Sequence, residues 1–126
     1  AYDKYTAKAE KTHIIADVDA FYQSSRDDLY YTIVGTNNKS QQVALIYKDK
    51  TESKVASVKM KDGKSKKQIE ALTKKEYNPN KITSIGMAIY KKVPVWEVTF
   101  IDKSGNLNFI TYQFTTGKAV RTIRHL

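Results

Sequence analysis

Apolar and polar residues alternate along most of the second half of the chain. Trp96, Val98 and Phe100 share one face of residues 95–101, and Ile110, Tyr112 and Phe114 share one face of residues 107–114. Ile85, Met87 and Ile89 do the same within residues 82–90. A period of two marks a half-buried strand. Ahead of these strands the period changes: Ile69 and Leu72, three apart, predict a helix over residues 66–76. Ser65, with Gln68 three positions on, forms a capping box at its start, and Asn78-Pro79-Asn80 stops it. Turn chemistry at residues 102–106 and 116–118 separates the later strands, with Gly105 free to take a positive φ, and residues 119–124 form a last short strand.

The first half repeats this plan in a weaker form, about 65 residues earlier. Tyr31 falls on Trp96, Ile33 on Val98, Leu45 on Ile110 and Tyr47 on Tyr112. A helix carrying Tyr2, Tyr5 and Ala9 on one face leads into strands over residues 14–22, 29–33, 42–48 and 54–60, with a turn cluster at residues 35–39. The expected fold class is α+β: two repeats, residues 1–62 and 63–126, each one helix packed on an antiparallel sheet of three to four strands. A single repeat of this size buries little surface, so the two are expected to pack as one rigid body. Trp96 shares its face with Val98 and Phe100 and is read as an anchor of the helix-on-sheet core. Pro94 lacks an N–H and fits a strand start or edge. Gly86, inside a strand, marks a bulge or a close helix approach.

The residues that define the second repeat also carry a resemblance. The Asn-Pro helix stop and "VPVWEVTFIDKSGNLNFITYQFTTGK" resemble the PepSY-like domain. The duplicated layout, with "YYTIVGTNNKSQQVALIY" in the first half, is similar to the YpmB-like proteins of Gram-positive bacteria. The resemblance implies a cystatin-like fold present twice, an N-terminal membrane anchor trimmed from before Ala1, and an extracytoplasmic location. It brings no catalytic residues. PepSY domains are associated with the regulation of cell-surface peptidases.

Charge adds a second feature. The net charge of +9 is uneven: residues 1–62 hold ten Lys/Arg against nine Asp/Glu, and residues 63–126 hold twelve against four. Such asymmetry suits an anionic partner, although lysines near turns are also ordinary solvent-facing residues. The segment "KMKDGKSKK" sets Lys59, Lys61, Lys64, Lys66 and Lys67 around one turn and a helix N-terminus, where backbone N–H groups also favour an anion. Lys74 follows on the same helix, and Lys91 and Lys92 sit in a loop. These eight lysines are the candidate anion- or partner-binding set.

No constellation points to catalysis. There is no cysteine, hence no thiolate nucleophile, disulfide or thiolate metal site. His13 and His125 have no persuasive serine partner and no zinc spacing. Asp17 with Asp19, and Asp27 with Asp28, read as solvated acid pairs. The five glycines make no phosphate-binding loop. The nine tyrosines fall mainly on expected core faces, which argues against nucleic acid. The expectation is a non-enzymatic, cofactor-free module at the Gram-positive cell surface. It would bind a surface peptidase or wall-synthesis factor by strand addition or through its hairpin tips. The alternative is a module that holds an anionic wall polymer or lipid on the lysine-rich segment.

Overall fold

The computed structural model describes residues 1–126 and divides them into two units, Ala1–Asp62 and Gly63–Leu126. The first unit runs α1 (Tyr2–Lys11), β1 (Asp17–Ser24), β2 (Tyr30–Thr36), β3 (Gln42–Lys48) and β4 (Ser53–Lys59), followed by a 3-10 turn at Met60–Asp62. The second runs α2 (Lys66–Tyr77), β5 (Lys81–Tyr90), β6 (Val93–Ile101), β7 (Leu107–Gln113) and β8 (Ala119–Ile123). Each unit is one helix and one four-stranded antiparallel meander, ordered β1-β2-β3-β4 or β5-β6-β7-β8. The α+β plan with two repeat-like halves is therefore present. No helix is long and apolar enough to cross a membrane.

The two cores correspond residue by residue. In the first unit Tyr5 and Ala9 of α1 pack with Tyr31, Ile33, Leu45 and Tyr47 of the sheet. In the second unit the matching positions are Ile69, Thr73, Trp96, Val98, Ile110 and Tyr112, all buried. Trp96 is fully buried, and its indole N–H donates to the Lys64 carbonyl at 2.9 Å. It thereby fixes the segment entering α2 against the middle of the sheet, as a buried amphipathic ring should. Gly63 lies against Phe114, where a Cβ would come within 2.5 Å of the Phe114 carbonyl oxygen.

Local chemistry explains the helix ends. Ser65 Oγ accepts from Gln68 N–H, and Gln68 Oε1 accepts from Ser65 N–H, completing the expected capping box. Asn78 ends α2 in the left-handed region, φ 46°, and Pro79 prevents continuation. The helix buries Ile69 and Thr73, whereas Leu72, expected in the core, is half-buried on its flank. Helix α1 has no side-chain N-cap. It is instead tied down by Tyr5, whose hydroxyl donates to Asp49 at 2.6 Å, and by the Lys4–Glu52 ion pair. Thr12 caps its C-terminus and His13 turns the chain at φ 59°. The first strand consequently begins at Asp17, three residues later than the alternation suggested.

All four edge strands are interrupted. Register shifts fall at Asp19 in β1, Val55 in β4, Thr83 in β5 and Val120 in β8, while the two central pairings, β2–β3 and β6–β7, run without a break. Bulges on edges twist the exposed ladder and block pairing with another chain. The bulge in β5 lies at Thr83 and not at Gly86, which sits opposite Glu97 on the face turned away from α2. Gly35, expected in a turn, belongs to β2, and a Cβ there would meet the Asp17 carbonyl oxygen at 2.5 Å.

Candidate functional site

The second unit carries six of the eight candidate lysines, and α2, which bears three of them, separates two grooves. Lys66 and Lys74 lie on the α2 flank facing the start of β5. With Glu70, the Asn78-Pro79-Asn80 stop and residues 81–85 they line a cleft of about 580 Å³. Lys66 approaches Glu70 at 4.0 Å, so part of the positive charge there is offset. Lys64 lines the other groove, of about 360 Å³, together with Gln68, Ala71, Leu72, Lys75, Thr116 and Gly117. Lys67 is exposed on α2 and lines neither groove. Lys59 ends β4 and Lys61 lies in the 3-10 turn, so both belong to the first unit. Lys91 and Lys92 are the two residues of the β5–β6 hairpin turn, closed by the pair Tyr90–Val93. Both take positive φ, 49° and 69°. The lysine set is thus split among two groove walls, a helix surface and a hairpin tip within the second unit.

Residues 64–75 contain a stripe that sequence reading left unassembled. Gln68, Leu72 and Lys75 recur at helical spacing, which places them on one side of α2, and Lys64, just ahead of the Ser65 cap, joins them in the groove. Ala71 and Leu72 give this groove an apolar wall, and Gly117 closes it from the β7–β8 turn. That turn is hydrogen-bonded within itself: Thr116 donates to Gln113, and Lys118 N–H donates to Thr116 Oγ1. The spacing was readable, but Gly117 reaches the stripe only through the fold.

The hairpin tips share one design. Asn37 Oδ1 accepts the N–H groups of Lys39 and Gln41, and Asp102 Oδ1 accepts those of Ser104 and Asn106. Ser40 and Gly105 occupy the same left-handed position, at φ 60° and 84°. Asp102 does more, since its Oδ2 also accepts from Asn108 Nδ2 at 3.1 Å and meets His125 Nδ1 at 3.2 Å. These bonds, led by that from Asn108, hold the Asp102 carboxyl at about 2, below its ordinary value. His125 is therefore occupied with the turn. Asp19, one of the paired acids, accepts from Thr36 and Gln42. No group of three or more His, Asp or Glu side chains is placed to hold a metal ion.

Fold and surface define a class: a duplicated helix-on-sheet scaffold with a basic second unit and grooves on both sides of its helix. Comparison with known proteins narrows it. The cell wall elongation regulator TseB-like domain matches residues 6–48, which span most of α1 and the strands through β3. The "Probable cell wall elongation regulator TseB" of Bacillus subtilis (strain 168) is 28% identical over 122 residues, covering 97% of this chain and 76% of that protein. The solved structure of the YpmB protein from Bacillus subtilis superposes with a TM-score of 0.79 at 28% identity, covering 98% of this chain and 96% of the other. In sequence and in fold the chain is similar to TseB/YpmB-like proteins.

Proposed function

We propose that this chain is a non-enzymatic regulatory module of cell-wall growth, acting outside the cytoplasm by binding a surface protein such as a peptidase or a wall-synthesis factor. The observation that carries the reading is the likeness, across nearly the whole chain, to a probable cell wall elongation regulator. The interrupted edges of both sheets favour docking through grooves and hairpin tips over strand addition. A membrane anchor ahead of Ala1 would hold the module at the cell surface. The test is complementation. A strain lacking its own relative of this family, supplied with this chain on a membrane anchor, should regain normal cell length and width. Unchanged morphology with the protein present at the surface would count against the reading.

A second reading, a module that holds anionic wall polymer, is favoured by the excess of twelve basic over four acidic residues in residues 63–126. The two readings separate by salt. Retention of polymer should fall steeply between low and high ionic strength, whereas a protein partner held in an apolar-walled groove should survive.

A further inference from the structure

The cleft on the β5 side of α2 is polar along both walls. Lys66, Glu70 and Lys74 follow one another at four-residue steps along the helix wall, each step rising about 6 Å, and the cap Asn78 continues the row. The sheet wall is the stretch from Lys81 to Ile85. Strand β5 is the outermost of its sheet and pairs only with β6, so the backbone groups on its free side have no strand partner. Glu70 offsets Lys66 at 4.0 Å, but neither Lys74 nor Lys81 is ion-paired, which leaves the cleft with three ammonium groups against one carboxylate. The side chains of Asn78, Asn80 and Ser84 are exposed and make no hydrogen bond within the protein. Thr83 differs, since its hydroxyl donates to the Thr99 carbonyl at 3.2 Å. The cleft thus offers unpaired positive charge beside uncommitted amide and hydroxyl groups, in a space of about 580 Å³.

This lining also selects by what it lacks. No aromatic ring lines the cleft, so the apolar face of a pyranose ring finds no platform to stack on. No arginine lines it either; lysine serves a phosphate as a point charge, whereas a carboxylate gains from a guanidinium fork. A peptide would need a backbone ladder or an anchoring pocket. The register shift at Thr83 interrupts the ladder, and the apolar lining is limited to the half-buried Pro79, Ile82 and Ile85. The ligand that uses every group present is flexible, carries repeated negative charge and bears hydroxyls between its charges. We infer that the cleft between α2 and β5 binds a short stretch of a polyol phosphate chain, with phosphates held by Lys74 and Lys81 and hydroxyls by Asn80 and Ser84. The inference rests on the second reading, a module that holds anionic wall polymer, and gives that reading a site and a ligand class. It places the weight on the far end of α2 and on Lys81, which is outside the eight lysines expected from the sequence.

The probe is a synthetic trimer of glycerol phosphate, titrated into the ¹⁵N-labelled chain at low salt. Amide shifts should concentrate at Lys74, Asn80, Lys81 and Ser84 and shrink as salt is raised. Lys74→Gln with Lys81→Gln changes two exposed side chains, so it should leave the circular dichroism spectrum unchanged and weaken binding about tenfold. Lys75→Gln with Lys118→Gln removes the same charge at exposed positions outside the cleft and should weaken binding about twofold at most. Asn80→Ala with Ser84→Ala keeps the charge. It should weaken binding of the trimer about threefold or more and leave that of inorganic triphosphate unchanged. The inference is overturned if the trimer moves no amide of the cleft at millimolar concentration, if the two lysine pairs weaken binding equally, or if Asn80→Ala with Ser84→Ala has no effect. It is equally overturned if a hepta-glutamate peptide moves the same amides at lower concentration than the trimer. Phosphatidylglycerol vesicles test the lipid source of the same chemistry: vesicle binding without shifts from the trimer would assign the surface to lipid and overturn the inference. Shifts from the trimer confined to other parts of the chain would remove this cleft and leave the wall-polymer reading standing, whereas no binding anywhere on the chain would remove both.

Discussion

Tyr47 and Tyr112 occupy the same core position of the two repeats, yet their hydroxyls meet different fates. Thr73 Oγ1 donates to the Ile69 carbonyl and accepts from the Tyr112 hydroxyl at 2.9 Å. The residue that matches Thr73 in the first unit is Ala9, which offers no oxygen. The Tyr47 hydroxyl is buried without a hydrogen-bond partner. The same substitution in the two units should therefore act with opposite sign. Tyr112→Phe removes one buried hydrogen bond and should cost about 1 kcal/mol. Tyr47→Phe removes a buried, unpaired hydroxyl and should be neutral or stabilising by up to about 1 kcal/mol. With a urea slope of about 1 kcal/mol/M for units of this size, the midpoint should fall by roughly 1 M in the first case and hold or rise in the second. Far-UV circular dichroism follows the whole chain, and fluorescence of Trp96, the single tryptophan, follows the second unit. A fall of similar size in both variants would refute the argument, because it would mean that the Tyr47 hydroxyl has a partner in solution. Ala9→Thr supplies the missing oxygen and should raise stability if the i−4 geometry of Thr73 is reproduced.

Other consequences are as direct. The β5–β6 turn holds two lysines at positive φ where Asn-Gly is the favoured pair, so the double change Lys91→Asn, Lys92→Gly should stabilise the chain by about 1 kcal/mol in the same urea assay. Ser40→Gly relieves the left-handed position that Gly105 fills in the second unit and should gain about 0.5–1 kcal/mol. The folded Asp102 carboxyl lies at about 2, below its ordinary 3.8. Its contribution is complete above pH 4 and is lost as pH falls through 4 toward 2. Thermal melts should show that loss in the native chain, and Asp102→Asn should be less stable at neutral pH with a flatter profile in this window.

The second repeat was legible because its signals are local. The capping box, the Asn-Pro stop and the alternation around Trp96 each act within a few residues, and the structure follows them almost residue for residue. The loop at Lys91-Lys92 was legible, but its two-residue hairpin form was not, since a tight hairpin is announced by Gly or Asn and this one uses neither. Gly35 misled in the opposite direction. It reads as turn punctuation, but it sits within a strand to let the Ile15–Asp17 segment pass close to it. The edge bulges leave no mark in composition. The groove beside α2 was half legible: its helical stripe is periodic, whereas its far wall comes from residues about forty-five positions later.

Two similar units joined in tandem face a hazard during synthesis. The first emerges from the ribosome while the second is still incomplete, and strands of one could template on the other. The bulges at Asp19, Val55, Thr83 and Val120 leave each nascent sheet with irregular borders that a neighbouring repeat cannot extend in register. The irregularities that make the edges poor docking sites thus also keep the two copies from exchanging strands as they fold.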